Sequence, residues 1–324
     1  MKIVSCAIKK IKMKRCLKVL CLLSFVAIIA ACSKDDSPSV APPRDYATQY
    51  AAEKIEIESF LKNHYLIFDE DYNVITPVIT DTLVQVSIWD HQEGSGQTDY
   101  TLRSKLAVVN GIYYTIYYIS FVEGVGEKPT KYDNVKVAYR GWKLDDVQFD
   151  YDPFPQNYLN LQGVIEGWQE ILPLFGAGVY NNVPSPDPAN YTDYGAGVMF
   201  LPSDLGYYEG SRPGLPAYSP LIFSFKLFEV QTADTDNDGV PNKYETDNGI
   251  ALGSYDTDGD GIANYLDPDD DNDGYPTRDE ITVKRIVDGV EMQVVLTFAE
   301  IPVCTEGGMP RHIDPACHDT DDEQ

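Results

Sequence analysis

The chain has 324 residues, of which 43% are hydrophobic and 12% aromatic, and its formal net charge at pH 7 is -26. This composition excludes a chain that is disordered throughout, and the negative charge argues against a partner that presents phosphates, such as nucleic acid. The length predicts one substantial domain with extensions.

An N-terminal leader is predicted from Met13 onward. The stretch MKRCLKVLCLLSFVAIIAAC has a basic start, an apolar run too short to span a bilayer comfortably, and small residues before Cys32. Its last four residues resemble the lipobox of bacterial lipoproteins. That resemblance implies a signal peptide over residues 1–31, lipid on Cys32 and a place in the outer membrane of a Gram-negative envelope. An ordinary secretory signal with an incidental cysteine is the alternative.

Residues 32–44 predict a lipidated tether, because SKDDSPSVAPPR after Cys32 is polar and rich in proline. The acidic start of this tether resembles the short signal that sends some lipoproteins to the outer face of the outer membrane. A plain solvated linker is the alternative.

Residues 45–131 predict a helix and strands that pack on the main domain. Positions at helical spacing are Ala47, Tyr50, Lys54, Ile57 and Leu61. They predict an amphipathic helix. The alternation of Val84, Val86 and Ile88 predicts a strand, and the β-prone run GIYYTIYYISFVEG predicts another. Whether this region forms a separate lobe or adds strands to the main sheet stays open.

The next region, residues 132–231, is dominated by predicted strands. NVKVAYRGW places Val135, Val137 and Tyr139 on one face, and LIFSFKLFEV does the same with every second residue from Leu221 to Leu227. The one clear helix between these strands begins near Trp168.

Five segments of this region occur in a familiar order and spacing: VKVAYRGW, QFDYD, LNLQGVIEGWQEILPLFGAG, FLPSDLGYYEG and LPAYSPLIFSFKLFEV. Together they resemble the FKBP-type peptidyl-prolyl isomerases. The resemblance implies an α+β fold in which a curved antiparallel β-sheet wraps over a short helix, here followed by a calcium-loop tail with little regular structure. It also implies isomerisation of X-Pro bonds in exported polypeptides, with no cofactor for catalysis.

The same resemblance implies the site. Trp168 would be the floor of a proline pocket, and Asp150 and Tyr207 would be polar groups on its rim. The walls would be Tyr139, Phe149, Val164, Ile165, Leu215 and Phe223. Gly167 would let the backbone turn tightly before Trp168. The alternative is that Trp168 is an ordinary core residue of an amphipathic helix.

This chain departs from the family pattern at several positions. Leu159 stands where an aromatic residue is usual, and Ile171 where a glycine is usual. Gly206-Tyr207-Tyr208 replaces Ala-Tyr-Gly, and residues 179–197 contain an insertion after the helix. We expect the fold to survive these departures, whereas they put the catalytic efficiency in question.

At residue 231 the composition becomes strongly acidic, and residues 232–281 contain three windows with the spacing of calcium loops. Each window has carboxylates at positions 1, 3, 5 and 12 and a glycine at position 6. The predicted ligands are Asp234, Asp236, Asp238, Glu245, Asp256, Asp258, Asp260, Asp267, Asp269, Asp271, Asp273 and Glu280. The array resembles thrombospondin type 3 repeats, which implies structural Ca²⁺; a solvated acidic spacer is the alternative.

The C-terminal segment, residues 282–324, holds Cys304 and Cys317, the two cysteines left after the leader and the lipidated position. An oxidising envelope favours a disulfide between them. A zinc site that adds His312 and His318 is the alternative.

Three functions stay in competition. The first is a lipid-anchored isomerase that acts on proline-containing polypeptides. The second is a binding or chaperone module without efficient turnover, and the third is an adhesive surface lipoprotein with a scaffold domain. Hydrolytic catalysis is poorly supported, because the five segments contain no histidine.

The leader sequence predicts acyl chains on Cys32. The intact mass of the protein from a Gram-negative host should exceed that of the polypeptide by the lipid, and Cys32→Ser should remove this excess. Cys21→Ser, inside the leader, is the matched control and should keep the lipid. A mature parent chain of unmodified mass would contradict the prediction.

Overall fold

The computed structural model describes residues 42–181, 191–246, 252–304 and 308–317, so Cys32 and His318 lie outside the described residues. The chain divides into two compact units, Met1–Pro43 and Arg44–Gln324. All elements described below belong to the second unit.

The described residues form a strand-rich fold with few helices, which confirms the coarse class predicted from the sequence. The α-helices are α1 (Tyr46–Asn63), α2 (Glu166–Ile171) and α3 (Thr277–Glu280). The strands are β1 (Ile67–Phe68), β2 (Val74–Ile75), β3 (Leu102–Val109), β4 (Ile112–Val122), β5 (Asn134–Lys143), β6 (Gln148–Asp152), β7 (Leu159–Asn160), β8 (Val179–Tyr180), β9 (Tyr191–Thr192), β10 (Gly195–Leu201), β11 (Leu221–Gln231), β12 (Thr282–Val287) and β13 (Val290–Val295). Short 3₁₀ turns join several of these elements.

Helix α1 begins where the sequence pattern places it. The Asp45 carboxylate caps it by accepting hydrogen bonds from the Thr48 backbone N–H (2.9 Å) and hydroxyl (2.7 Å). Ile57 and Leu61 are buried as predicted, and Glu53 is buried beside them.

The strand predicted around Val84, Val86 and Ile88 is wrong. Val84 is 76% exposed, and Ile88 begins a 3₁₀ turn that is capped by Ser87. The Gln85 side chain accepts hydrogen bonds from two backbone N–H groups, those of Thr80 (2.7 Å) and Asp81 (2.9 Å). These local side-chain bonds fold the segment into turns and compete with strand pairing.

The main sheet has seven antiparallel strands in the order β3-β4-β10-β11-β5-β6, with β7 paired to β5. The long strand β11 pairs with both β5 and β10, so it lies in the middle of the sheet. Strands β3 and β4 come from residues 45–131 and extend this sheet, which answers the question that the sequence left open.

The two faces of the sheet carry separate apolar clusters because side chains alternate along each strand. On β11, Leu221, Phe223, Phe225 and Leu227 lie in the cluster that includes Trp168 of α2, as the alternation predicted. Ile222 lies in the other cluster, with Ile57 of α1. Helices therefore contact the sheet from both sides.

Helix α2 lies close to β10 because residue 167 is a glycine. A Cβ at Gly167 would lie 2.4 Å from Cδ1 and 2.5 Å from Cδ2 of Leu201, which is fully buried. Gly167 belongs to the helix and has no positive φ, so the prediction that it allows a tight turn is wrong. Its function is to allow the helix to approach the sheet.

The described part of the acidic tail contains regular structure that the sequence pattern did not predict, namely helix α3 and the hairpin of β12 and β13. Val240 of the first loop packs with Ile281 and Leu296 in a small buried cluster at the base of this hairpin. The tail thus has a small apolar core of its own.

The close contact at Gly167 predicts that Gly167→Ala destabilises the protein. Overpacking should outweigh the ~1 kcal/mol that alanine gains in helix propensity, for a net loss of about 1–2 kcal/mol in the free energy of unfolding. Urea unfolding measures this loss. Gly163→Ala is the matched control, because a Cβ there meets no atom within 4 Å. Equal stability of the two variants would contradict the packing argument.

Candidate active site

A cavity of about 490 Å³ lies between the N-terminal end of α2 and the strands β5, β6 and β11. Seven residues that the sequence predicted for the site line it: Tyr139, Asp150, Val164, Ile165, Trp168, Tyr207 and Phe223. Such a volume suits a small ligand or one side chain of a peptide.

The aromatic side of the cavity is built around Trp168, which is 3% exposed. Its ring meets the ring of Tyr139 edge to face at 4.9 Å between centroids, and that of Phe223 at 5.4 Å. No residue in the described ranges accepts a hydrogen bond from the buried indole Nε1. The floor is therefore built from aromatic rings packed edge to face.

Phe149 and Leu215 lie behind the cavity and are not among the residues that line it. Phe149 packs edge to face on Phe223 at 5.5 Å, and Leu215 is 1% exposed in the same core cluster. Gly141 on β5 makes room for both rings, because a Cβ there would lie 2.7 Å from Phe223 and 2.8 Å from Phe149. Phe149 thus supports the wall of the cavity from behind.

Asp150 and Tyr139 form the polar pair of the cavity. The Tyr139 hydroxyl donates a hydrogen bond to the Asp150 carboxylate at 3.1 Å, and the other carboxylate oxygen accepts one from the Tyr151 N–H at 2.9 Å. Burial, together with the nearby Asp150, raises the pKa of Tyr139. The phenol therefore remains a hydrogen-bond donor at neutral pH.

Tyr207 and Arg212 form the rim. The Arg212 guanidinium lies 4.1 Å from the centroid of the Tyr207 ring, a cation–π contact. Burial raises the pKa of Tyr207, so its hydroxyl is also protonated at neutral pH, and Arg212 opposes this effect in part. Arg212 was not predicted, because nothing in the sequence of this loop indicates which of its exposed residues lies over the cavity.

The departures from the family pattern have different consequences. Leu159 lines the cavity, where it supplies an aliphatic surface. Ile171 is fully buried in the core cluster and does not line the cavity. The altered position in α2 therefore affects packing, and Leu159 alters the cavity itself. Residues 182–190 of the insertion lie outside the described residues.

The three acidic windows form compact carboxylate sets. Ligand atoms lie within 4.8 Å of one another in the sets Asp234/Asp236/Asp238, Asp256/Asp258/Asp260 and Asp269/Asp271/Asp273. A fourth set joins Asp238 and Glu245 to Asp270, which the sequence analysis did not assign. Asp267 and Glu280 are buried but belong to none of these sets.

Several of these carboxylates are buried with little compensation from the protein. Glu245, Asp270 and Glu280 are each 2% exposed, and none of their oxygens accepts a hydrogen bond of good geometry from the described residues. The Asn264 side chain lies near enough to Asp270 to oppose part of the rise in its pKa. Burial raises the pKa of Glu245 to about 10 and that of Asp270 to about 9. Buried carboxylate oxygens without donors are the ligands that Ca²⁺ uses, so the residues fit this ion.

Cys304 and Cys317 are joined by a disulfide with a Cα–Cα distance of 5.9 Å. His312 is buried, and burial lowers its pKa to about 4. With both thiols in the disulfide, the alternative zinc site loses its sulfur ligands.

In the described part of the chain no helix is long and apolar enough to cross a membrane.

The chain is similar to known proteins in two regions. Residues 233–311 match the family model described as BamM C-terminal. The FKBP-type peptidyl-prolyl cis-trans isomerase FkpA of Escherichia coli (strain K12) is 31% identical over 112 residues, which are 34% of this chain and 36% of that protein. The FkpA of Aeromonas hydrophila is 31% identical over 119 residues, or 36% of this chain and 38% of that protein. The chain thus spans little more than a third of the length of these curated relatives.

Two solved structures are also similar. A peptidyl-prolyl cis-trans isomerase from Pseudomonas syringae pv. tomato aligns with a TM-score of 0.35 and 19% identity, over 59% of this chain and 98% of that one. FkpA from Escherichia coli aligns with a TM-score of 0.32 and 22% identity, over 57% of this chain and 60% of that one. About a third of the chain is therefore homologous in sequence to FKBP-type peptidyl-prolyl cis-trans isomerases.

Proposed function

We propose that the cavity catalyses cis-trans isomerisation of X-Pro bonds in exported polypeptides. The observation that carries the proposal is the convergence of Tyr139, Trp168 and Phe223 on one cavity that also presents Asp150 and Tyr207. Homology to FKBP-type isomerases supports the same reaction.

The reaction needs a desolvated, apolar environment more than it needs a reactive group. Amide resonance gives the X-Pro bond a rotational barrier of about 18–20 kcal/mol, and the planar form is more polar than the twisted one. An apolar surrounding therefore disfavours the planar form more. The rings of Trp168 and Phe223 supply such a surrounding. No covalent bond forms or breaks, and the enzyme accelerates rotation by binding the twisted imide more tightly than the planar one.

The polar groups orient the peptide around the bound proline. Tyr207 is protonated and can donate a hydrogen bond to a peptide carbonyl next to the proline. Asp150 holds the Tyr139 ring through the 3.1 Å hydrogen bond, so the ring keeps its edge-to-face contact with Trp168. Arg212 packs on the Tyr207 ring and restricts its position. Such preorganised contacts raise the rate when they fit the twisted geometry best.

A second candidate function is binding of proline-bearing segments without efficient turnover. Leu159 favours it, because an aliphatic side chain lines the cavity where an aromatic ring is usual for the family. The two candidates share the same site and differ in whether the twisted imide is bound more tightly than the planar one.

We further propose that lipid on Cys32 anchors the protein in the outer membrane of a Gram-negative envelope. The lipobox-like sequence and the polar tether after it support this location. Exported polypeptides would pass the anchored domain as they fold. An adhesive role for the acidic tail is a further function that the same location would permit.

The isomerase proposal predicts that Asp150→Ala and Tyr207→Phe lower kcat/KM on Ala-X-Pro peptides, each by about tenfold or more, because each removes a group that orients the peptide. Exchange NMR measures the rate of cis-trans interconversion directly. The fluorescence of Trp168 reports binding of the same peptides.

The chain offers matched controls for both variants. Asp152→Ala changes the next carboxylate on β6, and Tyr208→Phe changes the next tyrosine, whose hydroxyl bonds to the Arg44 carbonyl away from the cavity. Both should keep the parental rate. Saturable binding without acceleration by the parent would establish the binding function instead, and neither binding nor acceleration would reject the site.

We also propose that the acidic tail binds structural Ca²⁺ through the carboxylates of its three loops. The buried oxygens without donors support this, since bound cations would neutralise them. Each ion would stabilise the turn conformation of the loop that binds it and would take no part in catalysis.

The calcium proposal predicts that Ca²⁺ protects residues 232–317 of the full-length chain from protease at concentrations of about 0.1–1 mM, the range of extracellular calcium modules. Limited proteolysis with mass spectrometry locates the cuts, and a chelator should restore them. Mg²⁺ at the same concentration is the control and should protect less, because it requires near-octahedral geometry. An unchanged pattern of cuts would reduce the tail to an acidic spacer.

A further inference from the structure

The fourth carboxylate set of the tail joins two loops that are distant in sequence. Asp238 and Glu245 belong to the first loop and Asp270 belongs to the third, yet their ligand atoms lie within 4.8 Å of one another. All three side chains are 2% exposed. The set is therefore an inter-loop cluster in the interior of the tail.

The oxygens of this inter-loop cluster are not satisfied by the protein. Among the described residues, no hydrogen bond of good geometry reaches either oxygen of Glu245, either oxygen of Asp270 or Oδ2 of Asp238. The Asn264 side chain lies near Asp270 and compensates it only in part. The other oxygen of Asp238 accepts from the Val240 N–H at 2.7 Å. Three carboxyl groups buried at this distance are costly to ionise together unless a cation lies between them.

The local structure of the third loop explains why Asp270 is available for this cluster. In the first loop, the residue at position 2, Thr235, pairs with Asn242 at position 9 through two hydrogen bonds of 2.9 and 2.8 Å. Thr257 and Asn264 repeat this pair in the second loop.

In the third loop the pair is different. The Asp270 backbone N–H donates to the Thr277 hydroxyl at 3.1 Å, so the carboxylate of Asp270 takes no part in the pair between positions 2 and 9. The side chain at position 2 therefore turns toward the first loop.

Two independent contacts hold the first and third loops side by side. Arg278 of α3 donates a hydrogen bond to the Asn237 carbonyl at 2.9 Å. A Cβ at Gly239 would lie 2.9 Å from Ile281, so the backbone of the first loop lies directly on the exit of the third.

We propose that Asp238, Glu245 and Asp270 bind a divalent cation, Ca²⁺ by their all-oxygen chemistry, which clamps the first loop to the third. This rests on the proposal that the tail binds calcium. Asp238 also belongs to the set with Asp234 and Asp236, so its carboxylate bridges the clamp ion and the ion of the first loop. Five carboxylates in this small volume require more charge than one divalent ion supplies.

The clamp has a consequence for the position of the tail. The first loop is attached to the domain of residues 132–231 by the Ala233 N–H, which donates to buried Asp133 at 3.3 Å. It is attached to the N-terminal region by the Lys243–Glu127 ion pair at 3.7 Å. The third loop leads directly into the hairpin of β12 and β13. A cation between the two loops therefore fixes the hairpin relative to the domain of residues 132–231.

Native mass spectrometry of the full-length chain in Ca²⁺ tests the clamp. Asp270→Asn should bind one Ca²⁺ fewer than the parent, and the rise in melting temperature on addition of Ca²⁺ should be smaller. Asp270→Thr places at position 2 the threonine that the other two loops have there, and it should also bind one Ca²⁺ fewer. Because threonine is compatible with the loop at this position, the same result in both variants would not be explained by misfolding. Asp279→Asn, an exposed acid of α3, is the matched control and should keep the parental number of ions.

A variant of the second loop separates the clamp from the general calcium proposal. Asp258→Asn should lose an ion of the second loop whether or not the clamp exists. If Asp258→Asn loses an ion and both Asp270 variants keep the parental number and affinity, the clamp is wrong and the calcium loops stand. If the parent binds no Ca²⁺, both proposals fail together.

Discussion

The close contact between helix α2 and strand β10 determines where the cavity can be. Gly167 allows the helix to lie on Leu201, and the next residue, Trp168, is thereby held against Phe223 of the central strand. Gly141 on β5 has a similar effect, because the absence of a side chain there leaves room for the rings of Phe149 and Phe223. The aromatic surface of the site thus depends on two positions that have no side chain.

The N-terminal region is part of the support of this site. The buried Glu53 carboxylate of α1 accepts hydrogen bonds from the Ser203 backbone N–H (2.7 Å) and hydroxyl (2.5 Å), and Ser203 begins the turn that leads to Tyr207. Burial raises the pKa of Glu53, and the bonds from Ser203 oppose that effect. A charged group buried in this way costs free energy unless it is well bonded, so the contact holds α1 and the rim segment in one arrangement.

The acidic tail is organised on a different physical basis from the domain that contains the seven-stranded sheet. Its apolar core is small, centred on Val240, Ile281 and Leu296, and the described part of the tail also buries six carboxyl groups. Apolar burial stabilises the sheet, whereas neutralisation by cations would stabilise the tail. The two parts meet at Asp133, which is buried at the start of β5 and accepts a hydrogen bond from the first residues of the tail.

Sequence by itself determined the features that depend on neighbours along the chain. The alternation on β11, the start of α2 near Trp168 and the carboxylate spacing inside each loop are local patterns, and the structure contains each of them. The alternation of residues 84–88 predicted a strand, and this prediction was wrong because hydrogen bonds from the backbone to a side chain form turns there. Tertiary structure alone decided that Arg212 covers Tyr207 and that Asp270 joins the first loop. Such contacts join segments whose separation in space is set by the packing of the whole domain, and no local pattern encodes that separation.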